Sequence, residues 1–296
     1  MEYKRESGRI RVPRYRKEHS IQTVLILYGL LLLSFFILNY NPQTIYDADS
    51  LLGWVFAIIS TVCILILMRR LEPVRWQEDL GLVFSAKDIC TGAVFFVALL
   101  FGVAALLSVI ADSNGYVYSP SLVTYYLEKQ KGNEALNYGR IIPLYLYHIP
   151  QTFNEEMISG SLLLKKIRQR YSWISDLWIA CGVALLFCLA HVVFYRLTPA
   201  QIGTLEFASV ITLFLAGWIR NVLILAGGSI LYAWMLHLAW NLLFFPSYYY
   251  IKYTRFVLRG ETDRINLILG DWRTVLVVLV IGLCVGIWYG RKKHRQ

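Results

Sequence analysis

Asn154-Glu155-Glu156-Met157-Ile158-Ser159-Gly160 places two adjacent carboxylates inside a long apolar segment. That segment covers residues 141–164 and stops at the basic run Lys165-Lys166-Ile167-Arg168-Gln169-Arg170. A carboxylate in hydrocarbon is costly, so one found there faces a polar interior and marks a functional place. Glu155 lies ten residues before Lys165, about 15 Å of helix, too deep for its side chain to reach the surface. Neighbours on a helix diverge by about 100°. One carboxylate is therefore expected to face the centre of a cavity while the other braces a neighbouring element.

Outward from this stretch, the whole chain reads as membrane protein. It is 57% hydrophobic and 16% charged over 296 residues, whereas a soluble domain carries about a quarter charged residues. Apolar runs near twenty residues recur, each about the length that crosses a bilayer as a helix. They lack the alternation of a barrel, and helices satisfy their own backbone in lipid. The fold class is thus an all-α polytopic membrane protein of about eight transmembrane helices, with a polar cavity formed by helices 4, 5 and 7. The net charge of +10 does not point to nucleic acid. The basic residues sit at the ends of spans, where retention on the cytoplasmic side accounts for them. Cys63, Cys90, Cys181, Cys188 and Cys284 lie in or beside apolar segments without a CxxC pair, as small buried hydrophobes do.

In chain order, residues 1–20 form a cytoplasmic arm with seven Lys/Arg against three Glu. A single transmembrane domain follows over 21–290, with its core at about 140–245, and a basic tail closes the chain at 291–296. The spans are expected at 21–39, 51–68, 89–110, 141–164, 177–195, 207–225, 230–251 and 275–289. Eight spans put both termini in the cytoplasm, together with the loops at Arg69/Arg70 and 165–170. The loop carrying Lys252, Arg255, Arg259 and Arg264 runs against that rule. The long connection 111–138 lies outside, with a short interfacial helix expected at 122–130. Pro150 is expected to bend the fourth span.

Further polar groups lie in later spans. His191 follows Phe187 by four residues, so the two share a helix face. His237 and Asn241 share a face in the same way. His148 sits two turns before Glu155, and Arg220-Asn221 lies inside the sixth span, where Glu156 or Asp112 would partner the arginine. No HExxH, GxSxG, Walker loop or dinucleotide fingerprint is present. A carboxylate with imidazoles suffices to activate water. The carboxylate takes the proton, and the imidazoles orient the water or stabilise an oxyanion. A divalent ion such as Zn, if bound, would find Glu155, His191 and His237 as ligands.

A diglutamate on one span, Phe187-x-x-x-His191 on the next and His237-x-x-x-Asn241 two spans later resemble the motifs of the CAAX-protease and bacteriocin-processing family. These are intramembrane endopeptidases related to the Ras-converting CAAX endopeptidase. The Gly228-Ser229 turn before His237 is similar to that family's turn before its last motif. The resemblance implies a glutamate-dependent endopeptidase acting on a membrane-associated, lipidated or leader-type peptide. Glu155 would be the general base and His191 its assistant. His237 and Asn241 would hold the oxyanion, and Glu156 would support the site. The family is usually labelled a metalloprotease, yet the same residues can work with or without metal. Family frequency points to a bacterial plasma membrane. One departure stands out: the first motif is Glu-Glu-x-x-x-Arg, and the Arg position holds Gly160. A cation there would hold the carboxylates ionised, and Arg220 is the expected substitute. Gly160 also motivates a second reading, a non-catalytic scaffold or bacteriocin-immunity protein using the same cavity. A proton-coupled transporter would call for an inverted repeat, which the sequence does not display.

Overall fold

The computed structural model describes Ile26, Gly29 and residues 50–113, 138–197, 205–250 and 268–294. Their elements are α1 (Ser50–Leu71), α2 (Trp76–Leu80), α3 (Ala86–Ser113), α4 (Tyr138–Glu155), a π-helical segment (Glu156–Leu162), α5 (Leu163–Arg170), α6 (Asp176–Leu197), α7 (Phe207–Gly227), α8 (Leu231–Tyr250) and α9 (Trp272–His294). No strand occurs among the described residues, so the molecule is the all-α membrane protein that its apolar runs predict. Five of the helices, α1, α3, α6, α7 and α9, are long and apolar enough to cross a bilayer. The expected first span falls outside the described residues except for Ile26 and Gly29. The interfacial helix at 122–130 and the basic loop at 252–264 fall outside them entirely.

The apolar helices spend much of their surface outward. Val94, Phe101 and Leu283 are each more than half exposed, which suits acyl chains and would be a large liability in water. No side chain of α8 described from Leu231 to Leu243 is exposed, and the end of α4 is buried at Thr152, Asn154 and Glu155. Asn154 fixes α4 to α1: its Nδ2 donates to Ala57 O at 3.2 Å and its Oδ1 accepts from Thr61 Oγ1 at 2.8 Å. Trp234 of α8 donates from Nε1 to Thr152 Oγ1 at 3.0 Å, and its ring meets Phe153 edge-on at 5.1 Å. Such interhelical bonds hold spans together where lipid removes the hydrophobic drive between them. Small residues allow close crossings. A Cβ on Gly286 would come 2.9 Å from the Trp218 ring, and one on Gly217 would come 3.1 Å from the Phe187 ring.

The ends of α1, α5, α7 and α9 and the starts of α3, α6 and α8 gather at one polar face. There the chain is locked by ions and backbone. Lys166, nearly buried, bridges Asp79 at 2.8 Å and Glu72 at 3.3 Å. Asp176 receives Arg168 at 2.8 Å, the Tyr289 hydroxyl at 2.6 Å and Lys293 at 3.1 Å. Gly81 ends α2 with φ 72°, and its carbonyl accepts from the Ile230 amide at 3.0 Å. A Cβ at Gly81 would lie 2.8 Å from both Ile230 Cγ2 and Ser161 Oγ, so this contact needs glycine. Helix α9 runs five residues beyond the expected 289. Lys292 donates to Ala226 O at 2.6 Å, and cations at a helix C-terminus are favoured by its dipole.

Candidate active site

The diglutamate sits where the backbone changes its bonding. Helix α4 continues past Pro150 to Glu155, and the next seven residues form the π segment. All seven are buried, from Glu156 at 0% exposure to Leu162 at 0%. In a π turn the amide bonds to the fifth residue back rather than the fourth. Ser159 fills the vacated i+4 place with its hydroxyl, which donates to Glu155 O at 2.6 Å. Met157, Ile158 and Leu162 pack into the apolar core with Ile64, Met68, Val183 and Ile224. Apolar burial thus holds the segment from several sides.

The two carboxylates do diverge, and one imidazole lies between them. His237 places Nδ1 2.9 Å from Glu156 Oε1 and Nε2 3.9 Å from Glu155 Oε2. The second distance is too long for a hydrogen bond. Glu155 is held by its other oxygen, Oε1, which accepts from Gln151 Nε2 at 2.7 Å. Gln151 Oε1 in turn meets His148 Nδ1 at 3.1 Å. His148 is therefore linked to Glu155 through Gln151, one turn before the glutamate on the same face. Gln151 was not among the sequence candidates, although its i, i+4 spacing to Glu155 was the available signal.

Arg220 of α7 is the cation beside the pair. It is 3% exposed, and its Nε lies 3.6 Å from Glu156 Oε2. That oxygen is sealed from solvent and accepts no hydrogen bond, so the guanidinium acts on it as a charge. The guanidinium stacks on the Phe187 ring, 4.1 Å from its centroid. It also reaches Ser159 Oγ at 3.4 Å and Asn221 Oδ1 at 3.3 Å. Asn221 is anchored to Ala180 O at 2.9 Å, which fixes α7 against α6. Of the two partners expected for Arg220, Glu156 lies in reach, and the Asp112 side chain falls outside the described residues. Gly160 makes this possible: a Cβ there would lie 2.7 Å from Glu156 Oε2 and 2.9 Å from Ile224 Cδ1.

His191 joins the group indirectly. Its ring lies 4.3 Å from that of Phe187, and Phe187 meets His237 edge-on at 6.5 Å. His191 Nδ1 is 2.9 Å from Phe187 O. A carbonyl only accepts, so Nδ1 carries the proton and Nε2 is left to the site. Asn241 lies one turn beyond His237 on α8 and is 4% exposed. The site thus draws on α4, the π segment, α6, α7 and α8, one helix more than the three expected. The ligand set suggested for a metal does not converge. Among the described residues, no group of three or more His, Cys, Asp or Glu side chains is arranged to hold an ion. In this arrangement the described side chains do not fit a resident metal.

No curated protein matches the chain. Residues 137–243 match the family model described as "Type II CAAX prenyl endopeptidase Rce1-like". That span holds Glu155, Glu156, Phe187, His191, Arg220, His237 and Asn241. Over this segment, about a third of its length, the chain is similar to the CAAX prenyl endopeptidase family, and its five long apolar helices are those of a multi-pass membrane protein.

Proposed function

We propose that the chain is a glutamate-dependent intramembrane endopeptidase that hydrolyses a peptide bond in a membrane-associated, lipidated or leader-type peptide. The observation that carries this reading is the placement of His237 between Glu155 and Glu156 with Arg220 behind them. The 3.9 Å between Glu155 Oε2 and His237 Nε2 suits one water bonded to both. Glu155 Oε2 takes a proton from that water as it attacks the scissile carbonyl. Gln151 holds Oε1 away, so the working oxygen is the one facing His237. Asn241 and His237 lie along one face of α8, and the carboxamide supports the developing oxyanion. His191, with Nε2 unprotonated, helps to orient the water. Glu155 then returns its proton to the leaving amine, and the cycle closes without net change in the protein.

Glu156 and Arg220 do not touch the substrate in this scheme. Glu156 Oε1 orients the imidazole, as a carboxylate behind a histidine does, and Arg220 balances its charge. The cation that the first motif lacks at Gly160 is supplied from α7. Purified wild type, Glu155→Ala and His191→Ala test the reading. Each is given a pool of membrane peptides in nanodiscs, with and without a chelator, and new termini are read by mass spectrometry. Cleavage by wild type alone is the expected result. Processing by Glu155→Ala at the wild-type rate would rule the reading out, and unchanged cleavage under chelator is expected of a metal-free site.

A further inference from the structure

A cavity of about 950 Å³ opens at the polar face, lined from α2, α5, the α5–α6 link, the α7–α8 turn and the end of α9. None of the catalytic candidates lines it. Lys165 on its wall is nine residues beyond Glu156, roughly 14 Å along the helix. Four cations face it: Arg75, Lys165, Arg168 and Lys293. Of the three lining carboxylates, Asp79 is 2% exposed and closed from behind by Lys166. Glu78 and Asp176 remain, so cations exceed the carboxylates left to them by two.

The cations keep donors to spare. Among the described residues Arg75 spends only Nε, on Glu78 at 2.9 Å, and stays 49% exposed. Arg168 gives Nε and one terminal nitrogen to Asp176 and stays 50% exposed. A guanidinium has five N–H groups in a fork that matches phosphate. The surroundings are those of a bilayer surface. The membrane-length windows end at Leu71, Asp176, Gly227 and Lys293, all around this opening. Beside it Trp173 is 81% exposed, Trp178 72%, Val74 74% and Val83 55%. Tryptophan at this level belongs to the membrane interface, and exposed apolar side chains next to a cationic pocket suit acyl chains next to a phosphate.

We infer that this pocket binds the phosphate headgroup of an anionic phospholipid, with the acyl chains lying over the exposed apolar residues beside it. Basic pockets between spans take such headgroups, and each cation near the surface adds a comparable share. The site is independent of the peptidase reading, and its test does not use activity.

The full chain is delipidated in detergent, and retention of phosphatidylglycerol and phosphatidylcholine is titrated by native mass spectrometry. Wild type should hold phosphatidylglycerol in preference. Arg75→Gln and Lys293→Gln should each weaken that binding about fivefold. Both side chains are about half exposed, and Asp176 keeps Arg168 and Tyr289 when Lys293 is changed, so the fold should survive. Lys87→Gln, exposed near the same face but outside the pocket, should leave binding unchanged. Equal retention of the two lipids, or an equal loss from Lys87→Gln, would overturn the site. A further arm adds inorganic phosphate and follows thermal stability. Stabilisation by phosphate with no added effect of phosphatidylglycerol would assign the pocket to a soluble anion and overturn the lipid.

Discussion

Glu156 and Arg220 form a pair in which neither residue can be removed alone at low cost. Glu156 Oε2 is sealed and unbonded, and the guanidinium 3.6 Å away is its nearby counter-charge. Removing one partner of a buried ion pair strands the other and costs about 3–5 kcal/mol. Arg220→Ala is therefore expected to lose stability of that order and to lose cleavage. Adding Glu156→Gln removes the stranded charge, so the double variant should recover much of the stability but not the activity. Thermal unfolding in detergent, run as a double-mutant cycle, reads the coupling. Additive losses, or an Arg220→Ala protein with full activity, would refute the pairing. Gly160 belongs to the same unit. Alanine would normally favour a helix by up to about 1 kcal/mol over glycine. Here its Cβ meets Glu156 Oε2 and the fully buried Ile224, and overpacking costs about 1–3 kcal/mol. Gly160→Ala should thus be less stable than wild type and slower, and a gain in stability would show that Glu156 has another place to go.

At the scale of elements, the spacings in the sequence carried most of the site and missed its backbone. Phe187/His191 and His237/Asn241 are i, i+4 pairs, and their common faces follow from helical geometry alone. Arg220 was legible because an arginine inside an apolar span needs a partner. The π segment was not legible, because a shift from the fourth to the fifth carbonyl changes no residue type and leaves no period to read. It matters for the layout, since it begins at the residue between Glu155 and the rest of the motif. Helix α2 was hidden too: five residues in a charged loop resemble a linker until Gly81 docks on Ile230. Lys165 shows how α5 is tied to that loop. Its ammonium donates to Gly228 O at 2.9 Å and to Glu78 O. Burial pushes its pKa down to about 8, against the pull of Asp79 and Glu78. An unfolded lysine titrates near about 10.4, so between these values the unfolded chain holds a proton that the folded chain has released. Stability from this group should therefore rise with pH across that window, and the neutral amine keeps two N–H groups for its two carbonyls. Wild type measured against Lys165→Met should gain in thermal stability from pH 8 to 10. A loss over that range would mean that the charged form is the one the fold prefers.

For the whole molecule, the distribution of charge sets the expected orientation. The polar face collects Arg69, Arg70, Arg75, Lys165, Lys166, Arg168, Arg170, Lys292 and Lys293. At the other ends of the described helices lie Arg140, Arg196 and Arg273. Among the described residues the bias is therefore strong. Short basic loops are retained in the cytoplasm, so the polar face, the C-terminal end of α9 and the proposed lipid pocket are expected there. The proposed catalytic cluster then lies roughly 14 Å inward from Lys165. Two exposed tryptophans allow a direct test. Trp173 is 81% exposed at the polar face, and Trp272 is 62% exposed at the start of α9, at the far end. In a background with all five cysteines replaced, Trp272→Cys in intact cells should react with a membrane-impermeant maleimide. Trp173→Cys should react only after the membrane is opened. The reverse pattern would turn the molecule over and leave the basic face on the wrong side for the charge rule. It would also send any peptide substrate to the cluster from the external surface.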